Sequence, residues 1–470
     1  MEAERASRRS RVAVAATLAA AAAILGIQLL RPPIIGLADN GDFSRLTHPA
    51  GLDDVSQRPE DRYFGWIQPR IAYVPRSADS SGYRSSEMLL VDVAVRAARG
   101  LSKSPFFDIR FLGALHAGLL LFALAVLVAS CRDLGTAPQS AAAVLLVFFF
   151  TDVGYIGPFN SLYSQTASLL FLLLTAGAAA LAVRRGALSS ALLAAYFVAA
   201  ALFVCAKPQE VVHAPILALL GARLAWPGAS ARRRVAAVVL GVLLCGLAAR
   251  YYRSAERSIG WVTRYNVIFM VLLPRSPDPA ADLTALGLDP ALTKYSGISP
   301  WDPRSPANDF AVRARINATS PRAFLLRHPD RMWAVIREAL QSSYVLQPPE
   351  LGNFAKESGR PALAKAFGPW SAVRKAIGGP ILLLLLLGGT FAAAVRTWRR
   401  AGLRGRLARE ALAALVLMTA LAFATAVGGD THMELVRHLY TFEALCDLLL
   451  AAALTWLIHA ARVHRSAVTA

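Results

Sequence analysis

Four cysteines in 470 residues are too few for a disulfide framework, and they stand in the wrong places for one. Cys131, Cys205, Cys245 and Cys446 all fall within or beside apolar runs, and none lies in the long polar segments. Zinc-ligand spacing is absent as well. Acidic residues are scarce, 30 against 50 lysines and arginines, leaving a formal charge of +20. That excess does not signal nucleic acid, because the arginines are spread along short segments between apolar runs, not gathered on one face or arm. No Gly-x-x-x-x-Gly-Lys phosphate loop occurs, and the short basic connections, at most about fifteen residues, cannot fold a nucleotide-binding domain. ATP and nucleotide sugars are therefore poor direct substrates. No internal repeat is evident, nor a matching pair of broken helices of the kind inverted-repeat transporters carry.

What is abundant is apolar: 56% of residues are hydrophobic and the mean hydropathy is +0.45. Windows of about 19 residues give an all-α polytopic membrane protein with ten spans, near 12–30, 109–130, 139–156, 161–183, 188–206, 210–226, 233–250, 379–395, 409–428 and 440–460. Frequent Ala and Gly in these runs favour close helix packing in lipid. The first run follows a basic N-terminus but is long for a signal peptide and ends in Arg31-Pro32-Pro33 without a small-residue cleavage site, so it reads as an uncleaved span.

Orientation follows from short-loop arginines. Arg5, Arg8, Arg9 and Arg11 precede span 1, Arg184 and Arg185 follow span 4, and Arg232 to Arg234 precede span 7. Arg396, Arg399, Arg400, Arg404, Arg406 and Arg409 join spans 8 and 9. All of these fall on one side together with both termini, which makes that side cytoplasmic, in the inner membrane of a bacterium whose Ala- and Arg-rich composition hints at a GC-rich genome. Five regions result: 1–30 as cytoplasmic N-terminus and first span, 31–108 outside, 109–250 as spans 2–7, 251–378 outside, and 379–470 as spans 8–10 and a cytoplasmic C-terminus. The outer segments carry enough apolar residues to fold, and 307–316 and 323–345 read as amphipathic loop or interfacial helices.

The sharpest polar feature is Ala38-Asp39-Asn40-Gly41-Asp42-Phe43-Ser44-Arg45, directly after span 1. Asn-Gly favours a tight turn, so Asp39 and Asp42 could converge close to the membrane surface. Such a pair suits glycosyl transfer: one carboxylate takes the acceptor hydroxyl proton while the other orients it or holds a cation such as Mg or Mn. The plainer reading is that Asp39 and Asn40 only cap a turn. Asp53 and Asp54 read as a solvated loop pair. Polar residues also gather at the outer ends of other spans: Asp152, Tyr155, Asn160, Tyr163, Ser164, Lys207, Glu210, Arg437 and His438. Lys207, Arg437 and His438 could clamp a lipid phosphate, or snorkel to headgroups. Glu443 and Asp447, one turn apart in span 10, fit either pairing with basic neighbours or an ion path. His116 reads as a helix–helix hydrogen bond.

Asn40-Gly41-Asp42-Phe43, Pro158-Phe159-Asn160-Ser161-Leu162-Tyr163-Ser164, and Gly429-Asp430 with Arg437-His438-Leu439 together resemble bacterial glycan-biosynthesis hexose transferases. So do Ser276-Pro277-Asp278-Pro279, Leu286-Gly287-Leu288-Asp289 and Leu351-Gly352-Asn353-Phe354 in the second outer segment. That family is similar to the polytopic GT-C-type glycosyltransferases, which use polyprenyl-phosphate sugars. The resemblance implies Asp39 or Asp42 as base, with Asn40, Arg45, Asp152, Asn160, Tyr163, Lys207, Arg437 and His438 binding substrate. It further implies hexose transfer, with inversion, from a polyprenyl-phosphate donor to an outer glycan, lipid or protein acceptor, among membrane lipids and without nucleic acid. One departure is Gln165, which follows Ser164 where family members often carry an acid. The competing readings are a polymerase or ligase of lipid-linked polysaccharide, which needs outward arginines more than a carboxylate, and a transporter or flippase of lipid headgroups.

Overall fold

A computed structural model describes residues 2–468 apart from 57, 78–82, 379, 400 and 430–433. Arg400 and Asp430 therefore lie outside the described residues. Six helices are long and apolar enough to cross a membrane: Arg11–Leu30, Arg110–Leu134, Gln165–Arg185, Ala231–Arg275, Leu403–Val427 and Leu435–His464. A seventh span is counted if Thr136–Phe150 and Val153–Asn160, bent by 57° at their junction, act as one. The bend has a local cause, since Asp152 takes an extended conformation and caps Val153–Ile156 by accepting from the Gly154 N–H at 2.9 Å.

Every range expected to span holds a helix, but two of them are short. Ser190–Val204 is a shorter apolar helix, and Ala214–Ala225 has 12 residues. At 1.5 Å per residue, 12 residues cover about 18 Å of the roughly 30 Å of hydrocarbon. Among the described residues, length and composition alone thus support six or seven spans. The helix that holds the seventh expected span runs on past residue 250, unbroken through Ala231–Tyr265 and continuing to Arg275 as a 45-residue element. Such a rod is about 68 Å long, so its far half stands beyond any bilayer. Helices approach closely where glycine faces bulk: a Cβ on Gly221 would come within 2.6 Å of the Tyr196 ring. All four cysteines are unpaired.

The segment after the first span is not purely helical as expected. Leu52–Asp54 (β1), Arg70–Tyr73 (β2) and Phe106–Asp108 (β3) form an antiparallel sheet in the order β1-β2-β3, with Asp53 opposite Ala72 and Ile71 opposite Phe107. Leu52, Ile71 and Phe107 bury one face into the main core. Asp53 and Asp54 are not simply solvated, since Arg62 pairs with them at 3.3 and 2.5 Å. In the second outer segment the expected amphipathic stretches are helices, Phe310–Ala318, Pro321–Arg327 and Pro329–Ser342. A small separate core of Tyr265, Ile268, Phe269, Leu283, Leu288 and Ile316 holds the far end of the long helix to this segment.

The two outer segments are stitched together through their backbones. Gly36 and Ala38 N–H groups donate to the Asn353 and Gly352 carbonyls at 3.1 and 3.0 Å, and Gly352 N–H donates to Phe64 at 2.8 Å. Only glycine fits at 352, because a Cβ there would lie 1.8 Å from the Gly65 oxygen and 2.2 Å from that of Ala362. A second lock joins Pro369–Ile377 to the last span. Asp447 accepts from Tyr155 Oη at 2.5 Å, Trp370 Nε1 at 2.7 Å and Arg374 at 3.0 Å. Asp447 therefore has the structural role of the two considered, with a basic partner supplied by the outer segment. Glu443, fully buried one turn earlier, has no hydrogen-bond partner among the described residues.

Candidate functional site

The acidic turn is held from beneath by the Pro158–Ser164 motif. Asn160 Nδ2 donates to the Leu29 and Ile35 carbonyls, both at 2.8 Å. Ser161 Oγ accepts from Leu37 N–H at 2.6 Å. Tyr163 Oη donates to the Ala38 carbonyl at 2.6 Å and accepts from Asn40 N–H at 2.9 Å. Three polar side chains of one short motif thus fix the extended chain that leaves the first span and deliver residues 39–42 to one place.

Within the turn, Asp39 Oδ1 accepts from Gly41 N–H at 2.7 Å and Phe43 N–H at 3.1 Å, and Gly41 supplies the left-handed backbone at φ +103°. Oδ2 of Asp39 makes no hydrogen bond among the described residues and remains available as an acceptor. The residue is 3% exposed. Burial pushes its carboxyl up from 3.8 to about 7, against the pull of those two N–H groups. Asp42 behaves oppositely. Burial works against its ionisation, but the guanidiniums of Arg45 at 3.0 Å and Arg437 at 3.3 Å outweigh it and hold the carboxyl below its ordinary value.

Arg437 is the hub. Its guanidinium lies over the Tyr163 ring at 4.0 Å and also meets Glu434 at 2.9 Å, while the Phe43 ring meets Tyr163 edge-on at 4.7 Å. Arg45 lies over Tyr83, whose hydroxyl is 3.1 Å from Ser164 Oγ. His438 Nδ1 pairs with Gln209 Nε2 at 2.5 Å. The Lys207 ammonium makes no hydrogen bond or ion pair among the described residues. Burial lowers its ammonium to about 8, with Glu210 opposing that fall. Asp42, Arg45, Lys207, Arg437 and His438 all lie near enough to act on one another's charge.

Of the ten residues expected at the site, eight meet here: Asp39, Asn40, Asp42, Arg45, Tyr163, Lys207, Arg437 and His438. Two are committed elsewhere. Asp152 spends both carboxylate oxygens on helix starts, accepting from Gly154 N–H at one and from Trp370 and Ser371 N–H at 2.8 and 3.1 Å. Asn160 uses both N–H donors on backbone carbonyls. Each is a scaffold residue, a distinction its position at a span end does not reveal. The motifs of the second outer segment also serve turns: Asp278 and Asp289 cap helices through Ala281 and Ala291 N–H. His116 bonds the Phe159 carbonyl at 3.0 Å and Glu87 at 2.9 Å.

A narrow recess, with room for little more than a water, lies beside the turn and is lined by Leu37, Val153, Gln165, Leu346, Gln347 and Arg437 among others. Gln347 was not expected there, since a neutral carboxamide beside apolar residues gives no charge signal, while Gln165 had been noted only as a departure from the resembled motif. The donor set does not suit a divalent cation: among the described residues no three His, Cys, Asp or Glu side chains converge, and Asp42 is already neutralised by two guanidiniums.

The profile of the YfdI N-terminal transmembrane domain matches residues 3–469 of the chain. No curated protein matches it. Among solved structures the chain is similar to the Archaeoglobus fulgidus oligosaccharyltransferase in the apo form, at a TM-score of 0.41 and 15% identity, over 97% of this chain and 52% of that one. It is similar also to oligosaccharyltransferase AglB from Archaeoglobus fulgidus in complex with an inhibitory peptide and a dolichol-phosphate, at 0.43 and 14%, over 97% and 52%. The chain thus spans about half the length of these structures.

Proposed function

The chain belongs to the family of the YfdI N-terminal transmembrane domain, a multi-pass membrane protein, and on that footing we propose that it is a GT-C-like glycosyltransferase. It moves a hexose from a polyprenyl-phosphate donor to a glycan, lipid or protein acceptor at the extracytoplasmic face, in a bacterial inner membrane with both termini in the cytoplasm. The observation that carries this reading is the division of labour between two carboxylates on one turn. Asp39, poised near 7 with a free oxygen, is suited to take a proton at neutral pH. Asp42 is locked ionised between two arginines.

In this mechanism Asp39 Oδ2 accepts the proton of the acceptor hydroxyl as its oxygen attacks the anomeric carbon. The bond from that carbon to the phosphate oxygen breaks, the configuration inverts, and polyprenyl phosphate leaves with the electron pair. Charge grows on the departing phosphate, where Arg437, His438 and Lys207 stabilise it. Asp42 acts by holding Arg437 over Tyr163. No step runs through a metal. A headgroup transporter would draw on Glu443 and Asp447, but Asp447 is spent on Tyr155, Trp370 and Arg374, which weighs against that reading.

The test is sugar transfer in nanodiscs with a panel of radiolabelled polyprenyl-phosphate hexoses. Asp39→Asn is expected to lose on the order of 10²–10⁴ in rate, the usual contribution of a general base, and Asp42→Asn to lose less. Turnover indifferent to both substitutions sinks the carboxylate mechanism and favours a polymerase or ligase that relies on its arginines.

A further inference from the structure

Gln209 follows Lys207 by two residues, on the turn Pro208–His213 that joins the two short helices Ser190–Val204 and Ala214–Ala225, and the mechanism above gives it no task. Its Nε2 lies 2.5 Å from Nδ1 of His438 on the last span. The next residue, Glu210, accepts from Thr441 Oγ1 at 2.7 Å, one turn further along the same span, and both of these partners are buried. That buried bond already fastens the turn to the span. Gln209 is only half-buried, so its own bond matters less for packing than for the histidine it meets.

The bond decides where His438 carries hydrogen. A carboxamide N–H donates, so Nδ1 has to accept, and a neutral imidazole that accepts at Nδ1 holds its one hydrogen on Nε2. The other tautomer, or an imidazolium, would set Nδ1–H against the amide N–H. Nε2 makes no hydrogen bond among the described residues and is not sealed in the interior, which leaves its N–H free to meet a ligand. The charged groups acting on the ring are Lys207 ahead of the turn, Arg437 on its own helix, and Asp42 and Arg45 on the acidic turn. Three of them are cations, beside which a neutral N–H adds a hydrogen bond without adding repulsion. A phosphate that gains charge as its bond to the sugar breaks is the acceptor such a donor suits.

We propose that Gln209 is a positioning residue for sugar transfer: by donating to Nδ1 of His438 it keeps the ring's single hydrogen on Nε2, where it meets the departing phosphate. The proposal rests on the transferase reading. Two measurements on the full chain in nanodiscs test it. NMR of protein carrying isotope-labelled histidine nitrogens, with His438→Asn identifying the signals, should show Nδ1 bare and Nε2 protonated in wild type at neutral pH. In Gln209→Glu the hydrogen should move to Nδ1, because a carboxylate only accepts. For hexose transfer, Gln209→Met should lower kcat about three- to tenfold with KM for the lipid-linked donor little changed. The freed ring still places its hydrogen on Nε2 part of the time, and the contact counts most as the phosphate gains charge. A wild-type Nδ1 that carries hydrogen, alone or together with Nε2, overturns the proposal without any substitution. An unchanged kcat in Gln209→Met overturns it too, as does a lowered melting point with kcat and KM worsening in step, the mark of a packing role. Any of these in a wild type that transfers sugar defeats the role of Gln209 alone. Wild type that transfers none of the hexoses defeats the transferase reading and this proposal with it.

Discussion

Asp39 gives the most quantitative expectation. Its carboxyl titrates at 3.8 in an ordinary setting and at about 7 in the folded protein, so the fold binds that proton more tightly than the unfolded chain does. Stability from this group is therefore complete below about pH 3.8, declines as pH rises through about 7, and stays reduced above it. About three pH units at 1.36 kcal/mol each amount to roughly 4 kcal/mol given up by folding with Asp39 ionised. Asp39→Asn keeps an oxygen for the Gly41 and Phe43 N–H groups but carries no charge, so it should spare the turn and recover most of that amount at pH 8. Thermal melts of wild type and Asp39→Asn in detergent, from pH 5 to pH 8, measure it. The variant should exceed wild type by roughly 1.6 kcal/mol at pH 5, since about 1.2 pH units separate 5 from 3.8, and by roughly 4 kcal/mol at pH 8, while transferase activity of wild type rises through an apparent pKa near 7. A stability gap that is the same at pH 5 and pH 8 would refute the argument, since it would mean that Asp39 does not titrate between them.

Two further expectations follow from buried charge. Lys207, lowered to about 8 by burial, should lose its cation as pH rises past that value, so wild-type affinity for polyprenyl phosphate should drop between pH 7 and 9. Lys207→Met should bind about tenfold more weakly at pH 7 and show no such drop; parallel binding curves for the two proteins would dismiss Lys207 as a phosphate ligand. At the other lock, Arg374, 5% exposed, carries the charge partner of buried Asp447. Asp447→Asn or Arg374→Met alone should cost about 3–5 kcal/mol by stranding the remaining charge, and the double substitution clearly less than their sum. Strict additivity in thermal melts would show the pair to be uncoupled.

Much of this was legible in the chain itself. Apolar runs and short-loop arginines mark a helical membrane protein because hydrocarbon accepts no unpaired backbone, and every expected span holds a helix. How many helices cross unaided was not legible: hydropathy windows do not see Asp152 breaking one helix, or that Ser190–Val204 and Ala214–Ala225 are shorter than the apolar runs that hold them. The acidic turn could be read because Asn40-Gly41 is a local signal, and eight of ten expected site residues meet around it. Asp152 and Asn160 misled because a polar residue at a span end looks the same whether it faces a ligand or caps a neighbour. Gln347 escaped because a neutral carboxamide leaves no trace in charge or periodicity, and Gln165 stood out only as a departure from the resembled motif.

The sequence by itself determined the membrane class, the helical segments and the acidic turn, since these depend on transfer of apolar side chains from water and on backbone preferences spanning a few residues. Only the tertiary structure decided the rest: that Arg437, 395 positions from Asp42, closes on one carboxylate and leaves the other to titrate near neutrality. Burial and charge pairing between distant segments set that difference, and neither is a property of the turn alone.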